Sequence, residues 1–275
     1  MAANESKSNY SMGYSQAVLA SHAARTIYSD AAFVLPHIKE TDRILDVGCG
    51  PGTITLGFAS VVPDGEVVGI DVSGEVLKQA EKNLALSDDA ARVSFRRGDV
   101  VKGLSDIPDG SFDVVFASQV FPHLATPELR AAAMAEMRRV LRDGGVLATR
   151  TIVDAHWLPR SCNLGELFTR RMARGVGADA DEFTGCLMPA LYRAADFENF
   201  TVTAGTTVWA TADERRWFAD SNAARLAEGD SFRASWLASG LTESDIEESK
   251  KALQAWAETE DAWYIGVQAD ILGWK

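Results

Sequence analysis

The stretch ILDVGCGPGT (44–53) runs from an apolar segment through a set of glycines into a helix start. Gly48 and Gly50 permit a tight turn and let a ligand approach the backbone closely. The helix that follows offers free N–H groups to a negatively charged group. Three carboxylates keep company with this loop. Asp46 sits two residues before the first glycine, where a ligand's amino group would be met directly or through water. Asp71 closes the next apolar run, a position suited to accepting hydrogen bonds from ribose hydroxyls. Asp99 lies between Gly98 and Val100 at the end of a third run. A carboxylate there suits the exocyclic amine of adenine, with the Val100 N–H beside a ring nitrogen. Together these residues describe a site for an adenosine with an amino-acid-like tail.

Other nucleotide loops fit less well. A dinucleotide loop, G-x-G-x-x-G, would need glycine where Thr53 stands, and Gly52 comes one position early. A Walker loop needs Gly-Lys-Ser/Thr, which does not follow. A glycine-rich turn with no ligand would leave the three carboxylates unexplained.

The candidates for proton chemistry are more scattered. His123 is the penultimate residue of FASQVFPHL (116–124), and an imidazole with an ordinary pKa near 6.5 can act as a general base. The plainer reading is a helix-start histidine packing on the sheet edge. Asp154 and His156 follow a fifth apolar run, at the strand ends where open α/β sheets bind ligands. A loop with no such role competes with that reading. His22, with Arg25, Tyr10 and Tyr14, lies in a polar leader and can pack over a polar ligand or simply form a solvated helix face. Arg170, Arg171 and Arg174 read as a solvated face rather than an anion clamp.

These residues need a scaffold. Apolar runs at 43–48, 66–71, 92–99, 112–120 and 145–153 read as buried strands. Helices at 53–62, 74–86 and 127–142 alternate with them, the last expected to stop at Asp143-Gly144-Gly145. Such alternation argues for a parallel, doubly wound sheet buried between helix layers. Residues 14–35 read as one or two helices. After Asp154, residues 160–175, 186–196, 213–227, 230–239 and 243–259 read as helices. The segments 200–211 and 262–275 read as two late strands, an antiparallel edge pair. All seven tryptophans lie beyond residue 150 and read as the packing of a helical cap. The organisation expected is an N-terminal helical lid (1–39), a ligand-binding core (40–153), and a cap with two closing strands (154–275).

The chain has 275 residues, 47% hydrophobic and 24% charged, which excludes disorder throughout. A formal net charge of −12 repels phosphate backbones, so nucleic acid is not the expected partner. Cys49, Cys162 and Cys186 are too few and too scattered for a disulfide framework or a metal site, and a cytoplasmic location is expected. The opening MAANESKSNYSMGYS has no apolar signal region, and the longest weakly charged stretch, 44–63, is broken by glycines, prolines and Asp46, so no membrane span is expected.

LDVGCGPG, GIDVS, GDV and FDVVFASQVFPHL stand in an order that resembles the class I S-adenosylmethionine-dependent methyltransferases, over roughly residues 40–153. The likeness is closest to the ubiquinone- and menaquinone-biosynthesis type of C-methyltransferase and its relatives in secondary metabolism. The leader YSMGYSQAVLASHAARTIYSDAAFVLPHI (10–38) and the ending AWYIGVQADILGWK are similar to one branch of that group. The resemblance implies an α/β, mainly parallel seven-stranded Rossmann-like sheet and S-adenosylmethionine as cofactor, with S-adenosylhomocysteine as product. It implies that Asp46, Gly48, Cys49 and Gly50 hold the methionine end and Asp71 the ribose, with Val72 against the adenine. Gly98, Asp99 and Val100 would hold the adenine edge. Ser118 and Gln119 would lie near the sulfonium and the acceptor, and Tyr14 and Arg25 would belong to a lid that orders on binding. Relatives carry a more polar stretch, of the pattern HQVLQHL, where this chain has the apolar FASQVFPHL. The expected activity is methyl transfer to a small organic molecule. The alternatives are a cofactor-binding fold doing cyclase-like or regulatory work, and a nicotinamide-dependent oxidoreductase.

Overall fold

The computed structural model describes residues 25–87, 91–177 and 183–275. Its centre is a seven-stranded sheet: β1 Arg43–Val47, β2 Glu66–Asp71, β3 Val93–Arg97, β4 Phe112–Ser118, β5 Leu141–Leu158, β6 Asn199–Trp209 and β7 Trp263–Trp274. The strand order is β3-β2-β1-β4-β5-β7-β6. The first five strands are parallel, and β7 runs antiparallel between β5 and β6. The helices are α1 Ile27–Asp30, α2 Thr53–Ala59, α3 Gly74–Leu84, α4 Pro127–Val140, α5 Arg171–Val176, α6 Met188–Ala194, α7 Ala212–Arg225, α8 Ser231–Ala238 and α9 Glu243–Ala257.

Alternate residues of each central strand feed opposite faces, and both faces are apolar, as parallel strands between two helix layers require. Leu45, Val115, Ala117 and Leu147 pack with Met134 and Met137 of α4 and Tyr192 of α6. Ile44, Val114, Phe116 and Val146 pack on the other side with Phe58 of α2 and with Ile27 and Val34 of the N-terminal segment.

Several boundaries differ from the sequence reading. Helix α2 ends at Ala59 rather than near residue 62, because Val62 is already turned into the core. Asp143-Gly144-Gly145 does not stop α4. Leu141 already pairs with Phe112, and a register shift before Val114↔Val146 absorbs the glycines inside β5. The 160–175 segment is a short 3-10 turn, a π-helical stretch Gly165–Arg170 and then α5. The leader has core anchors from Ile27 onward: Ile27 is buried, and so are Ala31 and Val34. Tyr10, Tyr14 and His22 lie outside the described residues.

β5, β7 and β6 outrun the parallel strands. Ser118, the last residue of β4, is level with Arg150, yet the β5–β7 pairing continues to Leu158↔Trp263 and the β6–β7 pairing to Trp209↔Tyr264. This antiparallel extension leaves from the carboxyl edge of the parallel strands and carries the cap. Trp157 and Tyr264 on it pack with Phe168, Trp236 of α8, and Leu253 and Trp256 of α9. The indole N–H groups of Trp157 and Trp256 donate to Thr169 Oγ1 at 2.8 Å and to the Leu158 carbonyl at 3.1 Å, so these buried aromatics keep their polar ends satisfied.

Candidate active site

Backbone at the β1–α2 loop sits in the left-handed region at Gly48, Gly50 and Gly52, with φ of 71°, 56° and 81°. Gly48 is needed for a second reason. A Cβ there would lie 2.7 Å from Val120 Cγ2, so the turn after β4 closes directly on the glycine loop. At Gly52 a Cβ would meet Phe95 Cζ at 2.4 Å, which explains a glycine that loop patterns alone left out of register. The loop is fastened from within. The N–H groups of Gly48 and Cys49 both donate to the Ile70 carbonyl, at 2.8 and 3.0 Å. These two amides are therefore spent on β2 rather than offered to a ligand.

Asp71 bridges the same elements. Its Oδ2 accepts from the Gly50 N–H at 3.1 Å and its Oδ1 from the Ser73 N–H at 2.9 Å. Burial raises its pKa, and these backbone donors oppose that. Each carboxylate oxygen keeps a further lone pair for a hydroxyl donor. Ser73 in turn caps α3 through the Val76 N–H. Gly98 N–H donates to the Asp71 carbonyl at 3.1 Å, which brings the third carboxylate loop alongside. There Asp99 Oδ1 accepts from the Val101 N–H at 3.1 Å and Oδ2 pairs with Lys102 Nζ at 3.3 Å, beside the buried Val100. The Val72 carbonyl accepts from Arg97 Nε at 3.1 Å.

Asp46 is 3% exposed and accepts a 2.6 Å hydrogen bond from Thr55 Oγ1. Burial pushes its pKa up to about 7, Thr55 pulls against that, and Asp71 adds to it. Burial and the same two carboxylates hold the Cys49 thiol well above its ordinary range, which disfavours the thiolate. A buried carboxylate facing a second one favours a cationic ligand group, because a positive charge relieves both. The α-ammonium of S-adenosylmethionine has that chemistry, and ribose hydroxyls match Asp71. The residues present fit the cofactor.

At the end of β4 the structure separates the two candidates. The buried Ser118 Oγ has no hydrogen-bond partner among the described residues. Gln119 is a non-glycine residue at φ 58°. Its N–H donates to the Arg150 carbonyl at 2.8 Å, its Nε2 to Gln268 Oε1 at 2.6 Å, and its Oε1 accepts from the Ile152 N–H at 3.3 Å. Gln119 is thus a strut tying β4 to β5 and β7, and it sets the direction in which Val120 and His123 leave.

His123 stands in the short turn Phe121–His123. Its pKa is pushed down to about 4, by burial first and then by the positive charges of Arg25 and Arg225. The imidazole is neutral at physiological pH. Arg25 belongs to the N-terminal segment and Arg225 to α7 of the cap, so charges from both act on this imidazole. Asp154 lies elsewhere, half-exposed on the β5–β7 extension, where its Oδ2 is 3.0 Å from His156 Nε2. The structure therefore joins Asp46, Cys49, Gly50 and Asp71 in one cluster, sets Gly98 and Asp99 beside it, and groups His123 with Arg25. It leaves Asp154 paired with His156.

Sequence reading missed Thr55, Arg225, Gln268 and a buried ion pair. Arg150 Nη1 is bound by both Asp270 oxygens, at 2.8 and 2.7 Å, with Asp30 Oδ1 at 3.7 Å from Nε. Only Thr55 had a signal, a hydroxyl one turn into the helix after the glycines.

Residues 38–188 match the methyltransferase domain family. Over the full length of both chains, the sequence is 40% identical to the probable methyltransferase ltbC of Aspergillus luteorubrus. It is 35% identical to an uncharacterized methyltransferase of Schizosaccharomyces pombe over 76% of each chain. Among solved structures, a putative methyltransferase from Bacillus halodurans superposes with a TM-score of 0.57 at 17% identity, covering 90% of this chain and 99% of that one. YcgJ from Bacillus subtilis gives 0.56 at 16% identity, covering 89% and 97%. No helix among the described residues is long and apolar enough to cross a membrane. With this sheet order, this carboxylate-lined glycine loop and these relatives, the chain belongs to the S-adenosylmethionine-dependent methyltransferases of the class I fold.

Proposed function

We propose that this enzyme methylates a small organic molecule, in secondary metabolism or a quinone-like biosynthesis, in the cytoplasm. The observation that carries the reading is a neutral histidine in the turn after β4. His123 feels the positive charges of Arg25, from the N-terminal segment, and of Arg225, from cap helix α7. A site within electrostatic reach of both segments suits an acceptor small enough to be surrounded, and such cover excludes water from the reaction. The −12 net charge disfavours a nucleic-acid acceptor.

The cofactor, when bound, supplies a methyl group on an already cationic leaving group. Asp46 holds its ammonium group, oriented by Thr55. Asp71 holds the ribose, and the Gly98–Val100 loop lines the adenine edge. Gln119 fixes the turn after β4 and so would limit how an acceptor can approach from the His123 side, in a reaction where alignment does most of the catalytic work. His123 is available in its proton-accepting form but is a weak base, which suits an acceptor that is already nucleophilic or that ionises easily.

The test is a panel of phenols, enols, carboxylates, amines and thiols, incubated with enzyme and S-adenosylmethionine. S-adenosylhomocysteine release with one acceptor class, reduced at least about tenfold in a His123→Ala variant that still binds cofactor, supports the reading. Cofactor binding without turnover on any member, together with turnover on RNA or protein, contradicts it.

A further inference from the structure

Strand β6, Asn199–Trp209, forms one border of the sheet. Among the described residues it pairs with β7 alone, in unbroken register along all eleven residues. Its outer edge is a row of backbone donors and acceptors with no strand to meet them. Proteins blunt such an edge with charged side chains, prolines or bulges, because it otherwise recruits another strand. This strand reads NFTVTAGTTVW and has none of these devices. Val202 is 50% exposed and Val208 is 45% exposed. In a chain with a net charge of −12, these eleven residues have no ionisable side chain, so two copies can approach here with little carboxylate repulsion.

The residue pattern points to one occupant. Antiparallel pairing of a strand with its own copy is twofold symmetric, so the same patch serves both partners. Centred on Ala204, such pairing sets Thr201 opposite Thr207, Val202 opposite Thr206, and Phe200 opposite Val208. Thr–Thr, β-branched and aromatic–β-branched pairs are the favourable ones across antiparallel strands. The pattern is close to symmetric about its centre, which binding an unrelated strand would not require.

We propose that two copies of this chain associate through β6, edge to edge about a twofold axis at Ala204, to form one continuous sheet across the dimer. The active site stays outside this contact, at the carboxyl edge of β1 and β4.

Sedimentation velocity across a micromolar concentration series tests this, with far-ultraviolet circular dichroism to check the fold. The expected result is a species of twice 29.7 kDa. Val202→Lys should keep the monomer's spectrum and melting temperature and weaken dimerisation at least about tenfold, since lysine is the natural guard of an edge strand. Ala204→Cys provides a second readout that does not depend on that variant folding. Two such thiols meet on the axis, so mild oxidation should give a reducible dimer that the wild type, with its own Cys162 and Cys186, does not give. A wild-type protein that stays monomeric throughout overturns the proposal. So does a dimer that survives Val202→Lys, or one that Ala204→Cys fails to cross-link.

Discussion

The Thr55 hydroxyl reaches back from the first turn of α2 to Asp46 at the end of β1, 2.6 Å away. The carboxylate that must meet a cation is thereby held in place before any cation arrives. Removing the donor leaves a buried carboxylate with less support. Thr55→Val should weaken S-adenosylhomocysteine binding by about 1.5–3 kcal/mol, the scale of a hydrogen bond to a charged group. Calorimetry measures it, and an unchanged affinity would show that Asp46 needs no orientation.

The pKa of Asp46 near 7 makes binding pH-dependent in the neutral range. The free protein holds this proton more tightly than the unfolded chain does. Its stability from this group is therefore present at low pH and declines as pH rises from the ordinary carboxylate range to about 7. The decline amounts to about 4 kcal/mol at most. A ligand ammonium reverses the preference, because it favours the ionised carboxylate. Melting temperatures of the free protein should fall between pH 5 and 7, and the gain on adding S-adenosylhomocysteine should grow over that interval. A gain that is flat with pH would remove Asp46 from the ammonium site.

His123 is depressed to about 4 by burial and by two arginines, so it does not titrate near 6.5. The kcat profile should show no histidine limb between pH 5.5 and 8. A limb near 6.5 that disappears in His123→Gln would mean that ligands screen Arg25 and Arg225 from the imidazole.

Gly205 of β6 lies over the buried pair of Arg150 and Asp270. A Cβ there would stand 2.2 Å from Arg150 Nη1 and 2.3 Å from Asp270 Oδ2. Gly205→Ala must displace one of them, and an uncoupled buried ion pair costs about 3–5 kcal/mol. Chemical denaturation should register that loss. A variant as stable as the wild type would show that the pair relaxes freely.

The parts of this fold that sequence made legible are those set by local chemistry. Strands β1 to β3 are short runs closed by glycine or a carboxylate, and their ends carry Asp71 and Asp99 in the expected places. Gly52 was harder to read. Its reason is the ring of Phe95, on a strand some forty residues away. The stop expected at Gly144-Gly145 failed because pairing with β4 captured Leu141 and pulled the glycines into the strand. The hydrogen bonds of Gln119 to Gln268 and Ile152 were not legible, since those partners on β7 and β5 are fixed only by the sheet order. The Arg150–Asp270 pair spans 120 residues of sequence and has no local signature. Arg225 acts on His123 across about a hundred residues of sequence, a relation that no periodicity announces.

The central claim is that Asp46 and Asp71 form one cofactor site with the glycine loop. Titration calorimetry with S-adenosylhomocysteine tests it most directly, on the wild type, Asp71→Ala and an exposed control, Asp213→Ala. The account predicts one site per chain. It predicts a loss of about 2–3 kcal/mol in Asp71→Ala, the scale of charge-assisted hydrogen bonds, and no change in the control. Equal affinity in all three proteins, or preferential binding of NADH by the wild type, would contradict it.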